Sequence, residues 1–143
     1  MPYAPRCHPA DSLASLRFTG VRTFARLPHV QTTEDIDVAV VGLPFDTGAT
    51  FKVGARFGPE SVRSASHMLR PYNVELAVQV FETLSIVDYG DAPVIPGFIE
   101  DSYAAITATL RPLADSGVIT LGIGGGQWTA GAGAVRFARR CVG

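Results

Sequence analysis

The stretch DVAVVGLPFDTGATFKVGARFGPESVR, residues 37–63, decides the fold of this 143-residue chain. It opens with an unbroken apolar run, residues 38–41, which is typical of a strand buried on both faces in a parallel sheet. A long loop with glycines and prolines follows, and it contains Asp46, Lys52 and Arg56. Loops at the carboxyl ends of such strands are where open α/β sheets usually bind ligands. We therefore predict that this loop has a function beyond connecting two elements.

The remainder of the chain alternates predicted helices and strands. A helix should begin at Gly58-Pro59 and end before Pro71. The predicted apolar face of this helix comprises Val62, Ala65, Met68 and Leu69. Met68 should therefore lie in the core, and His67, on the other side, should point to solvent. A second strand is predicted over residues 82–88, a helix over 101–116 and a third strand over 118–121.

The second predicted helix, residues 101–116, has a regular apolar pattern with a proline inside it. Tyr103, Ile106, Leu110 and Leu113 recur at spacings of three and four, and Gly117 provides the stop. Pro112 lies inside the pattern, so the helix either kinks there or ends one turn early. The order of strands and helices predicts an α/β fold, a three-layer α/β/α arrangement with a mostly parallel sheet.

Composition excludes several classes of protein. Hydrophobic residues make up 47% of the chain and charged residues 17%, which favours a buried-sheet protein over a disordered one. The net charge of −1 gives no electrostatic reason to expect nucleic acid or a membrane as a partner. No apolar run is long enough to span a membrane. We expect Cys7 and Cys141 to be free thiols in a reducing compartment, and a disulfide between them is the alternative.

The N-terminal segment, residues 1–17, is expected to be a flexible leader. It has no secretory signal. Residues 1–30 contain four arginines against one acid, Asp11, a bias compatible with a mitochondrial presequence. A cytoplasmic location is our main expectation, and a mitochondrial one is the alternative.

Three motifs in residues 18–121 resemble the ureohydrolases, the family of arginase and agmatinase, and most of all its agmatinase branch. The first is the GLPFD turn with VGARFGP and SVR, in which Val53 stands where the family usually has proline. The second, FTGVRTFARLPHV, precedes the first strand, and the third is VDYGDAPVIPG. His29, in the second motif, is expected to be a surface or capping histidine.

This resemblance implies the first half of a ureohydrolase fold and an ancestral activity, the hydrolysis of a guanidino compound such as agmatine to urea and an amine. The family's cofactor is a pair of Mn²⁺ ions that lower the pKa of a bridging water. Asp46 and Arg56 are the residues we expect to shape the rim of a site, with Asp88 and Asp91 supporting it. In the family, the segment with Asp88 and Asp91 does not supply metal ligands, so we expect turn-forming and hydrogen-bonding roles for both.

The resemblance breaks after Leu121. Where the family has a Gly-Gly-Asp-His segment, this chain has GIGGGQW, and its last acidic residue is Asp115. We therefore expect every family metal ligand to be missing and the chain to be inactive alone. The alternative is a non-catalytic fragment that associates with a full-length subunit or with itself.

The segment 122–143 is a divergent Gly/Ala/Arg-rich tail. Its partial glycine pattern is a weak sign of dinucleotide binding, and the cations Arg136, Arg139 and Arg140 form either a basic patch or a solvated helix face. A shifted reading frame after codon 121 would explain the abrupt change best, and translation in the other two frames would test it.

Overall fold

The computed structural model describes residues 5–11 and 13–124. Three parallel strands form the main sheet, in the order β4-β1-β5. They are β1 (Val38–Leu43), β4 (Ile86–Asp91) and β5 (Ile119–Gly124), and a hairpin of β2 (Tyr72–Asn73) and β3 (Val78–Gln79) lies between β1 and β4 in the chain. The predicted parallel sheet is confirmed.

The helices are α1 (Gly58–Ser66), α2 (Val80–Thr83) and α3 (Ile99–Asp115). Two short 3-10 turns, Phe24–Arg26 and Ala55–Phe57, complete the set. Helix α3 continues through Pro112 and ends before Gly117, which has the positive φ of 74° that favours glycine. The helix therefore does not end one turn early at Pro112, and the other alternative, a kink at Pro112, stays a prediction.

The two faces of the sheet are covered by different elements because successive strand residues point to opposite sides. On one face Ala39 and Val41 pack with Ile106 and Leu113 of α3, as the spacing of the apolar residues predicts. On the other face Val40 and Ile86 pack with Leu27, in the segment before β1. Helix α1 lies on this second face as well, because its Arg63 reaches Asp88, the partner of Val40, so helices cover both faces in a three-layer α/β/α arrangement.

The predicted second strand is displaced. Residues 82 and 83 belong to α2, and the strand extends to Asp91. The register with β1 shifts between Val40 and Val41, so that Asp88 and Gly90 are paired and Tyr89 is skipped. Gly90 has a φ of 89°, which suits such a bulge. The strand therefore contains a bulge at Tyr89 and Gly90 and continues three residues beyond its predicted end at residue 88.

The predicted apolar face of α1 is wrong. The helix ends at Ser66, and Met68 lies beyond it with 73% of its surface exposed. The face turned inward carries Pro59, Arg63 and Ser66. His67, expected in solvent, is only 6% exposed. The reason is that the sheet beneath α1 presents a carboxylate, Asp88, which requires a cation rather than a hydrocarbon.

The N-terminal segment makes several hydrogen bonds to the rest of the fold. The amide of Cys7 donates to Ser85 Oγ over 3.1 Å, and the Cys7 carbonyl accepts from Ile86. Arg6 pairs with Asp35 at the surface. Cys7 is a free thiol packed against the core, whereas Cys141 and the predicted tail features lie outside the described residues.

Candidate functional site at the carboxyl edge of the sheet

Asp46 is the organising residue of the loop after β1. Its Oδ2 accepts hydrogen bonds from the backbone amides of Gly54 (2.8 Å) and Arg56 (3.3 Å). Its Oδ1 lies 2.8 Å from Arg56 Nε and 2.6 Å from Arg56 Nη2. One buried carboxylate therefore closes the loop of residues 47–54 and fixes the arginine that follows it.

The charge of Asp46 is stabilised in this position. The hydrogen bond from the Arg56 side chain, opposed by burial and helped by the two loop amides, lowers the pKa of the Asp46 carboxyl to about 2. The same hydrogen bond raises the pKa of Arg56. Asp46 is an anion at neutral pH with its lone pairs already engaged, so it is poorly placed to accept a proton from a substrate.

Arg63 forms a second cluster with two carboxylates of β4. Its Nε and Nη2 lie 2.7 and 2.9 Å from the two oxygens of Asp88, a bidentate pair, and its Nη1 lies 2.6 Å from Asp91 Oδ1. Asp88 Oδ2 also accepts from the amide of Phe24 at 2.7 Å. The cluster connects α1, β4 and the segment before β1.

Burial and hydrogen bonding act in opposite directions on this cluster. Burial favours the neutral acid of Asp88, but hydrogen bonds from Arg63 and from the amides of Phe24 and Gly90 outweigh it and lower the pKa of its carboxyl. For Arg63, burial is likewise outweighed by the two carboxylates, which raise its pKa. The cluster is an ion-pair network in which one guanidinium serves two carboxylates, so its formal charge is negative.

His29 adds a further contact at the same edge. It is exposed, as predicted, and its Nδ1 lies 3.0 Å from the carbonyl oxygen of Asp88. A carbonyl only accepts, so Nδ1 is the protonated nitrogen. The backbone around His29 runs beside β4, with Val30 donating to the Asp88 carbonyl and Asp88 donating to the Pro28 carbonyl. The segment thus adds to the edge of the sheet.

Two cavities open at this edge. One, of about 390 Å³, is lined by Arg22, His29, Arg63, Asp88 and Asp91, among others. The other, of about 210 Å³, lies beside Asp46 and Arg56 and has an apolar wall formed by Phe57 and Val94. The four residues predicted to shape or support a site therefore form two ion-pair groups, each next to a cavity. Within the described part of the chain, no hydrogen bond or ion pair joins the two groups.

Arg63 is the cation that holds Asp88 and Asp91, and no role is predicted for it from the sequence. The available signal was its position in α1, four residues after the buried Pro59 and three before Ser66, which places it on the inward face. A cation on an inward face requires a buried acid, and β4 offers two.

The residues of this edge do not fit a manganese pair. Manganese prefers several carboxylate and imidazole ligands together. Over residues 5–11 and 13–124, no three His, Cys, Asp or Glu side chains are grouped so that they could hold a metal ion. Asp46, Asp88 and Asp91 each engage a guanidinium, which a metal would have to displace. Residues 125–143 contain no Asp, Glu or His.

Comparison with known proteins identifies the lineage of this fold. The model of the Arginase family matches residues 36–141. The guanidinobutyrase of Pseudomonas aeruginosa is 35% identical over 112 residues, covering 76% of this chain and 35% of the relative. The mitochondrial agmatinase of Gallus gallus is 38% identical over 109 residues, covering 76% of this chain and 32% of the relative.

Solved structures agree with these relatives. Proclavaminate amidino hydrolase from Streptomyces clavuligerus superposes with a TM-score of 0.75 at 31% identity, covering 82% of this chain and 39% of that one. A Trypanosoma cruzi formiminoglutamase with Mn²⁺ superposes with a TM-score of 0.64 at 25% identity, covering 77% and 37%. The chain spans about a third of the length of the curated relatives it matches. With its parallel sheet and its edge loop, this chain belongs to the arginase family.

Proposed function

We propose that this chain carries the N-terminal scaffold of an agmatinase-like ureohydrolase, an enzyme that hydrolyses a guanidino compound to urea and an amine. The observation that supports this most is the edge loop fixed by Asp46 and Arg56, in a chain about 35% identical to a guanidinobutyrase. In a complete enzyme, manganese would be the expected cofactor, as the Mn²⁺ in the formiminoglutamase structure suggests. The names of the relatives favour a small guanidino substrate, and some favour a mitochondrial location over a cytoplasmic one.

Residues 1–143 alone do not perform this hydrolysis, in our proposal. The carboxylates of the edge are engaged in ion pairs with Arg56 and Arg63, and no residue after Asp115 is acidic. Asp46 and Arg56 shape the rim of the site, while Asp88 and Asp91 support it through Arg63.

A chimera tests both parts of this proposal. Residues 1–121 would be joined to the corresponding C-terminal portion of the Pseudomonas aeruginosa guanidinobutyrase and assayed for urea release with added manganese. We expect the chimera to release urea and the 143-residue chain to release none above a metal-free control. A folded, manganese-loaded chimera without activity would contradict the scaffold assignment, and urea release that tracks the 143-residue chain would contradict the predicted inactivity.

A second candidate function is that of a non-catalytic subunit that associates through the open edge of its sheet. In β5, Ile119 is 63% exposed and Leu121 is 45% exposed. They pair with Val38 and Val40, so they extend the apolar surface of β1 outward. Exposed apolar residues on an edge strand favour pairing with another chain.

The oligomeric state tests this second candidate. We expect the 143-residue chain to elute as an oligomer in size-exclusion chromatography with light scattering, and the Ile119→Lys, Leu121→Lys double variant to shift toward monomer. Ile95→Lys, at an exposed residue outside the sheet, is the control. A monodisperse monomer of the unchanged chain would contradict association.

A further inference from the structure

A larger cavity of about 660 Å³ lies among residues that follow α1 and precede β4, outside the loops of the candidate site. Its walls come from the N-terminal segment, from the chain just after α1 and from the chain between β3 and β4. None of its lining residues belongs to the loops that follow β1 or β4. A cavity of this size is within the range of small-molecule binding sites.

His67, in the wall of this cavity, has a polar atom without a partner. The side chain is more than nine-tenths buried, and its Nδ1 lies 3.1 Å from the carbonyl oxygen of Arg17. Since a carbonyl can only accept, Nδ1 carries the hydrogen, and the tautomer with its hydrogen on Nδ1 has a lone pair on Nε2. That Nε2 is buried and, within the described chain, has no hydrogen-bond partner. Buried polar atoms rarely lack a hydrogen-bond partner, so His67 Nε2 is available to accept a hydrogen bond from a ligand in the cavity.

Charges of both signs surround the cavity. The guanidinium of Arg17 makes no hydrogen bond or ion pair with any described residue. The contact between Arg17 and His67 is made by the backbone carbonyl of Arg17. Asp11 and Glu82 line the same cavity, and their carboxylates form no ion pair within residues 5–11 and 13–124. Leu69 and Phe81 supply apolar surface between these groups.

From this arrangement we infer that the cavity binds a small zwitterion, with its carboxylate on Arg17 and its cationic N–H group donating to His67 Nε2 near Asp11 and Glu82. A ligand of one charge would satisfy only one side of the cavity, whereas an amino acid with an apolar spacer satisfies both. The site is separate from the candidate hydrolase site and does not depend on its activity.

Calorimetric titration of the purified 143-residue chain tests this inference. The probes are three ω-amino acids of increasing length, namely glycine, γ-aminobutyrate and ε-aminocaproate, with butyrate and butylamine as singly charged controls. We expect at least one amino acid to bind about tenfold or more tightly than either control, the cost of losing one charge-assisted contact.

Variants locate the binding. His67→Asn keeps a donor for the Arg17 carbonyl but removes Nε2, so it should fold normally and weaken binding about tenfold, as should Arg17→Gln. Arg70→Gln removes the same positive charge at an exposed position near the cavity, so it is the control and should bind like the unchanged chain. The inference is overturned if none of the three amino acids binds, if butyrate or butylamine binds as well as they do, or if His67→Asn binds with unchanged affinity.

Discussion

At the scale of single residues, Arg63 joins helix α1 to two carboxylates of strand β4. It is 10% exposed at its side chain and faces an Asp88 that is 1% exposed. Removing one partner of such a pair leaves an uncompensated buried charge, which costs more than the pair itself contributes. The interactions of Arg63 therefore govern how the segment before β1, helix α1 and strand β4 stay together.

Replacing Arg63 with leucine tests this role. We expect Arg63→Leu to lower the free energy of unfolding by about 3–5 kcal/mol, because the carboxylate of Asp88 is left buried and unpaired. Urea denaturation followed by circular dichroism measures the change. Arg70→Leu, at an exposed position after α1, serves as the control and should change stability by less than about 0.5 kcal/mol. A loss below about 1 kcal/mol for Arg63→Leu would be inconsistent with a buried ion-pair network.

The lowered pKa of Asp46 makes a prediction about acid stability. Its pKa falls from 3.8 to about 2 on folding, so its ionised form stabilises the fold above pH 3.8, and this stabilisation is lost as the pH falls toward 2. Asp46→Asn should therefore be less stable than the unchanged chain at pH 7, and the difference should shrink as the pH falls through that window. The midpoints of urea unfolding, measured between pH 7 and pH 2, test this, and the exposed Glu75→Gln is the control. A difference between Asp46→Asn and the unchanged chain that stays constant down to pH 2 would speak against this ion pair.

Single residues also show where sequence reasoning succeeds and where it fails. The placement of Asp46 and Arg56 at the end of a buried strand follows from local pattern alone. The inward position of Arg63 in α1 does not, because it depends on a carboxylate 25 residues further along the chain, Asp88. Hydrophobic periodicity has no information about such a distant charge.

At the scale of elements, the close approach of β1 and β4 depends on a missing side chain. A Cβ added at Gly42 would lie 1.8 Å from Asp91 Oδ1 and 3.1 Å from Pro59 Cβ. Glycine therefore allows Asp91 to reach Arg63 across the end of β1. The glycine of the GLPFD turn is required by packing at this point.

Gly42→Ala should disturb this approach. We expect it to destabilise the fold by about 1–3 kcal/mol, because Asp91 must move away from Arg63 to make room. Gly122→Ala is a matched control in the neighbouring strand, since among the described residues an added Cβ there meets nothing nearer than Leu43 Cδ1 at 3.4 Å. Thermal unfolding of both variants compares them directly. Equal stability of the two variants would show that the approach is not tight.

Helices α1 and α3 differ in how well their sequence predicts their packing. The apolar residues of α3 pack against the core as their spacing predicts, since Ile106 and Leu113 are fully buried. Accordingly, Leu113→Ala should cost about 2–5 kcal/mol, whereas Met68→Ala should cost less than about 0.5 kcal/mol. Urea unfolding of the two variants measures both. A large cost for Met68→Ala would restore the apolar face predicted from sequence and contradict the inward position of Arg63.

At the scale of the whole molecule, the chain combines the scaffold of its family with carboxylates that are already paired with arginine side chains. The three-stranded parallel sheet and its edge loop belong to the arginase family, and the chain spans about a third of its relatives. The motifs before Leu121 predicted that scaffold because they describe local turns and strands. They could not predict the ion pairs that Arg63 forms with Asp88 and Asp91, since the partners are 25 and 28 residues apart in the chain.

Titration of the purified 143-residue chain with Mn²⁺, followed by electron paramagnetic resonance, tests the central claim most directly. Free Mn²⁺ gives a signal that decreases on binding, so the number of bound ions can be counted. We predict that the signal stays proportional to the added metal, because the carboxylates of the sheet edge hold guanidinium groups. Saturable, tight uptake of two ions per chain would contradict the account.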